Sequence, residues 1–172
     1  MIGRLSRTIC GSAIAVRLLS AQIGLPEVTL SAGSRATLPL SFEAPDFITA
    51  LQFDIEYDSS ALQIEVTVGD AIRDSAKQLF CLDIQGGKRF VIGGMNNGRI
   101  AQGPLLQLHL GTARTSTAGS YPIRLLNLIA ASADGDEVWL GSTDGRVNVE
   151  LHAGAALPAI STMNAASFIA GP

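Results

Sequence analysis

The chain has 172 residues, the length of one domain with little room for a second. Hydrophobic residues make up 47% and charged residues 16%, enough to build a core and too apolar for a disordered chain; aromatics are only 5%, so the core must be mainly aliphatic. A formal net charge of -3 argues against a nucleic-acid binder, and two Cys and two His are too few for a zinc cluster or a disulfide scaffold.

Residues Met1 to Gln22 stand apart. They carry Arg4, Arg7 and Arg17 and no acid, with an apolar stretch from Thr8 to Leu19, interrupted by Arg17, and a small residue at Ala21. This pattern predicts a secretory signal peptide over 1–22 and an extracellular protein. No apolar run reaches the ~18 to 20 residues of a membrane span. Loss of the leader leaves nine basic residues against fifteen acidic ones, a charge of about -6. It also removes Cys10, so Cys81, within Leu79–Ile84, is left as a single thiol and is expected as a small buried hydrophobe.

From Pro26 to Glu150 the apolar residues alternate with polar ones. Leu38, Leu40 and Phe42 form one such row, and Leu51, Phe53, Ile55 and Tyr57 a second. Leu62, Ile64, Val66 and Val68 follow, then Leu106, Leu108 and Leu110, and finally Val147 and Val149. Successive side chains of a strand face opposite sides, so each row predicts a strand with one face buried and one wet, as in antiparallel sheets. Asp58-Ser59-Ser60, Gln85-Gly86-Gly87, Asn96-Asn97-Gly98, Asp134-Gly135-Asp136 and Thr143-Asp144-Gly145 supply turn chemistry between them. The pattern predicts an all-β sandwich or barrel, with one short helical turn near Asp70–Lys77. Phe53 and Ile55 are expected in the core, and Gly145 is expected to take a positive φ in the last turn.

The segment Leu51-Gln52-Phe53-Asp54-Ile55-Glu56-Tyr57-Asp58-Ser59-Ser60-Ala61-Leu62 resembles the cohesin signature: an alternating strand ending in Tyr-Asp, a tight turn, then Leu. Gly103 to Leu110 is similar to the family's Gly-led strand, Gly119-Ser120-Tyr121-Pro122-Ile123 to its Gly-x-Tyr-Pro strand, and Asp144 to Val149 to its closing Asp-Gly-x-Val-x-Val strand. The resemblance covers about residues 25–151. It implies a nine-stranded, antiparallel, jelly-roll-like β-sandwich of the superfamily that includes cellulose-binding modules, and a non-catalytic role. The implied partner is a dockerin-like protein module, in polysaccharide degradation or surface attachment. Recognition is implied on the face carrying the Thr49–Tyr57 strand, whose outward residues are Ala50, Gln52, Asp54 and Glu56. The family often carries Asn and Asp at the positions matched by Ala50 and Gln52, and this chain departs at both.

Other chemistry is thin. Glycoside hydrolysis needs two carboxylates facing each other across a cleft, whereas Asp54 and Glu56 share one polar row, expected to be solvated. His109 falls on a polar row, and His152 beyond the last strand. Asp134, Asp136 and Glu137 are weak calcium candidates without the twelve-residue ligand spacing of a calcium loop, and the expectation is that no metal or cofactor binds. Trp139 is the one candidate for stacking on a sugar ring, which keeps a carbohydrate-binding module as the alternative function and polysaccharide as the alternative partner; a structural spacer in a larger secreted protein is a third. The chain from Leu151 onward has no charged residue and reads as a linker, and Asn164 to Pro172 resembles the opening of a C-terminal module of large secreted bacterial proteins.

Overall fold

The computed structural model describes residues 21–44 and 48–151. Most of the predicted leader, and the linker with the module start at 152–172, lie outside the described residues. The alternating rows become strands: β1 (Ala21–Gly24), β2 (Glu27–Ser31), β3 (Arg35–Glu43), β4 (Ile48–Glu56) and β5 (Leu62–Val68). One helical turn, α1 (Asp70–Asp74), stands where it was predicted. There follow β6 (Gln78–Ile84), β7 (Gly87–Gly93), β8 (Gly103–Thr112), β9 (Gly119–Ser132), β10 (Glu137–Val138), β11 (Leu140–Thr143) and β12 (Gly145–Glu150).

Two sheets face each other. One runs β11-β1-β3-β8-β5; the other runs β2-β12-β9-β4-β7-β6, with β10 added on β9. The chain therefore forms the all-β sandwich that its alternation predicts. Both end segments cross between the sheets together. The segment holding β1 and β2 bends at Leu25-Pro26, the one holding β11 and β12 bends at Asp144, and the Leu25 amide donates to the Thr143 carbonyl at 3.0 Å where they cross. Counting each crossing segment as one strand recovers the predicted nine, with β10 a short addition. These segments also carry the departure from an antiparallel sandwich: β1 pairs parallel with β11, and β2 parallel with β12.

The core lies between the sheets and is mainly aliphatic, with Phe42, Phe53 and Phe90 as its largest side chains. Phe53 and Ile55 are buried as predicted, and the rings of Phe53 and Phe90 stack with centroids 5.4 Å apart. Tyr57 packs half-buried against the core. Asp58 closes the turn after β4: its Oδ1 accepts from the Ser60 amide at 2.9 Å and the Ser60 hydroxyl at 2.5 Å.

Two expectations are corrected. Gly145 does not take a positive φ; the glycines that do are Gly33, Gly86, Gly103 and Gly135. Its requirement is space, because a Cβ there would stand 2.7 Å from Leu25 Cβ and 3.2 Å from the Pro26 carbonyl oxygen, where the end segments cross. Cys81 is exposed rather than buried, because β6 ends its sheet and the opposite sheet does not cover it.

Candidate docking face

Strand β4 lies at the middle of its sheet, between β7 and β9, and presents Ala50, Gln52, Asp54 and Glu56 outward. The pairing registers place these residues in rows that run across four strands, since directly opposed residues share a face. One row is Phe80 on β6, Val91 on β7, Gln52 on β4 and Ile129 on β9. The next is Leu82, Arg89, Asp54 and Leu126; the third is Ile84, Gly87, Glu56 and Arg124. Apart from Val91, the middle of the face is polar or small, and apart from Arg124 its margins are apolar. Phe80, Leu82, Ile84, Leu126 and Ile129 are all exposed, and they are most of the exposed large hydrophobics among the described residues. A concentration of this kind on one face marks an interaction surface.

The expectation of a solvated polar row fails at Asp54, which is only 3% exposed. The guanidinium of Arg89 lies against it and donates from Nε and Nη2 to the two carboxylate oxygens at 2.7 and 2.8 Å, while Asn127 Nδ2 donates at 2.7 Å. Asn127 reaches it from a register shift in the β4–β9 ladder and holds a φ of 51°, which Asn tolerates better than most residues. The Arg89 hydrogen bonds hold the Asp54 carboxyl below its usual pKa, against the opposing effect of burial, and Asn127 adds to the lowering. The result is a fixed, fully paired polar centre. Glu56 remains half-exposed, with Arg124 Nη1 3.3 Å from its carboxylate.

The remaining candidates lie elsewhere. Trp139 is 71% exposed, but its ring lies over Gly141, on β11 of the other sheet. Asp134 and Asp136 sit in the exposed turn after β9, where the Ser132 hydroxyl accepts from both their amides. The turn does not gather the carboxylates of Asp134, Asp136 and Glu137, and no group of three metal-ligating side chains occurs among the described residues. On the other outer face, His109 bridges neighbouring strands, with Nδ1 3.1 Å from the Thr37 hydroxyl and Nε2 3.0 Å from that of Thr67, along a groove of about 500 Å³.

Arg89, Asn127 and the apolar margins did not emerge from the sequence. The alternation of Phe80, Leu82 and Ile84 was available as a signal, but period two does not say which side of a strand is covered.

A β-sandwich whose outer face carries apolar margins around a fixed ion pair is a binding module. The chain belongs to the cohesin domain family, whose model matches residues 21–149; the family is one of non-catalytic protein-binding modules. No curated protein matches the chain. Its fold is similar to a non-cellulosomal cohesin from the hyperthermophilic archaeon Archaeoglobus fulgidus (TM-score 0.65, 17% identity, 76% of this chain and 91% of that one). It is similar also to the Coh-OlpA–Doc918 cohesin–dockerin complex from Clostridium thermocellum (0.69, 18%, 76% and 99%). A third is the sixth cohesin of Acetivibrio cellulolyticus scaffoldin B, solved with a Cel5 dockerin variant (0.67, 16%, 76% and 99%).

Proposed function

We propose that this cohesin domain docks a dockerin-like protein module through the outer face of β6, β7, β4 and β9, and that it does so outside the cell, in polysaccharide degradation or surface attachment. The observation that carries the proposal is the face itself: exposed Phe80, Leu82, Ile84, Leu126 and Ile129 around the paired Arg89–Asp54 centre. Two of the similar structures are complexes with dockerins, and the leader-like residues 1–22 support export. Apolar anchors around a preordered charged group suit an interface of ~800 Å² per partner in which a few residues dominate. Ala50 and Gln52 remain within the docking face, although they differ from the family's frequent Asn and Asp, and the half-exposed Glu56–Arg124 pair at its end can steer an approaching partner.

Calorimetric titration of the full chain with purified dockerin modules, the Doc918 and Cel5 dockerins among them, tests this. Saturable one-to-one binding to at least one is expected. Leu82→Glu places a charge on a side chain that is 59% exposed, so it should leave the fold intact and weaken that binding at least ~10-fold. The polysaccharide alternative rests on Trp139 alone. Binding to no dockerin, together with polysaccharide binding that Trp139→Ala abolishes, would put the carbohydrate function in its place.

A further inference from the structure

The two sheets end in four edge strands: β11, β5, β2 and β6. An unpaired edge is a template for another chain unless it is short, charged, interrupted or covered. Strand β11 has four residues. β2 has five residues and follows Pro26. β5 presents Gln63, Glu65 and Thr67 to solvent on one face. β6 is the least protected of the four, because one of its faces is apolar and open, with Phe80, Leu82 and Ile84 exposed. It runs seven residues with an unbroken register against β7, contains no proline, and its one charged residue, Asp83, is already paired with Lys88.

The β6–β7 hairpin determines which backbone groups of β6 are open. Its loop is the two residues Gln85 and Gly86, so Ile84 and Gly87 form the closing hydrogen-bonded pair. Hydrogen-bonded and non-hydrogen-bonded pairs alternate along an antiparallel ladder. Phe80, Leu82 and Ile84 therefore bond to β7, and the amides and carbonyls of Leu79, Cys81 and Asp83 point away from the sheet. Cys81 is the central residue of β6.

We propose that two copies of this chain associate by antiparallel pairing of their β6 edges about a two-fold axis at Cys81, joining their β6-bearing sheets into one. The strand is self-complementary about that point. Cys81 faces Cys81 of the second copy, Leu79 faces Asp83, Phe80 faces Leu82 and Gln78 faces Ile84. Every open amide and carbonyl of Leu79, Cys81 and Asp83 then exchanges hydrogen bonds with the second copy. The apolar side chains of Phe80 and Leu82 meet in register, and no like charges are directly opposed. The association does not depend on the dockerin proposal. It leaves the outer face open and sets the two docking faces side by side.

Cys81 reports the register. Directly opposed residues of a hydrogen-bonded pair have Cα atoms ~5.5 Å apart, within the 4.4–6.8 Å span that a disulfide bridges. The test uses the full chain with Cys10→Ser, so that Cys81 is its single thiol. Sedimentation measures the oligomeric state, and glutathione disulfide supplies the oxidant. Two Cys81 thiols lose two protons and two electrons to form one disulfide, and the glutathione disulfide leaves as two glutathione molecules. A dimer that cross-links through Cys81 is expected. In a Cys81→Ser background, Leu79→Cys or Asp83→Cys should cross-link at least ~10-fold more slowly, because neither position faces itself across the axis. Cys81→Pro removes an outward amide without touching the β6–β7 ladder and should abolish the dimer; Cys81→Lys, which retains the amide, serves as a second edge-blocking variant. A chain that stays monomeric throughout its soluble range, or that cross-links equally well from positions 79, 81 and 83, would overturn the proposal.

Discussion

Asp54 owes its state to residues far along the chain. Its carboxylate is buried, and Arg89 and Asn127 satisfy it. Removing the guanidinium strands a buried charge, so Arg89→Ala should cost about 1–3 kcal/mol, moderated because the Arg89 side chain is 38% exposed. Arg89→Lys keeps the charge and loses the two-pronged contact, so its urea midpoint should fall between those of wild type and Arg89→Ala. The pH dependence has a definite sign. The folded carboxyl sits below its usual value, so between that folded pKa and the unfolded value of ~3.9 the unfolded chain holds the extra proton. Stability from this group is therefore complete above about pH 5 and is lost as the pH falls through the folded pKa. Asp58 is lowered too, by its Ser60 hydrogen bonds, so the measurement is a difference: the acid limb of urea midpoint against pH should be shallower in Asp54→Asn than in wild type. None of this was legible from the Leu51–Leu62 segment, where Asp54 is one polar residue in an alternating row. Its partner is 35 positions away, and only the register brings the two together.

For the strands, alternation gave their location and said little about which of their faces are covered. Leu51, Phe53 and Ile55 alternate in the same way as Phe80, Leu82 and Ile84, yet the first row is buried and the second exposed. The difference is the face: Leu51, Phe53 and Ile55 point toward the opposite sheet, whereas Phe80, Leu82 and Ile84 lie in register with the outward row of β4. Phe53→Ala should accordingly cost about 3–5 kcal/mol, read from the urea midpoint. Leu82→Ala should cost less than about 1 kcal/mol by the same measurement, since little burial is lost. The crossing of the end segments was hidden for a related reason. Sequence showed Gly145 beside an Asp and suggested a turn requiring positive φ; the structure shows a site where a Cβ would collide with Leu25. Asn is therefore no better tolerated there than other residues. Gly145→Ala should cost about 1–3 kcal/mol, and Gly145→Asn and Gly145→Val should both melt below wild type.

Across the domain, the cohesin resemblance foresaw the sandwich, and the family match over 21–149 covers nearly all of it. The parallel pairings of its end segments have a mechanical consequence. β1 lies alongside β11 and β2 alongside β12, with the amino end of one segment next to the amino end of the other. Tension applied between residues 21 and 150 draws the two segments in opposite directions along their common length. The ladder is then loaded in shear, and its hydrogen bonds must yield together. The β6–β7 hairpin behaves differently under tension between residues 78 and 93, at its open end, because its bonds can break in succession. Since forced unfolding follows the height of the unfolding barrier, single-molecule pulling across 21 and 150 should require a higher peak force than pulling across 78 and 93. The strand pairing that joins the two ends of the domain also makes it suited to transmit load between whatever is attached at each end.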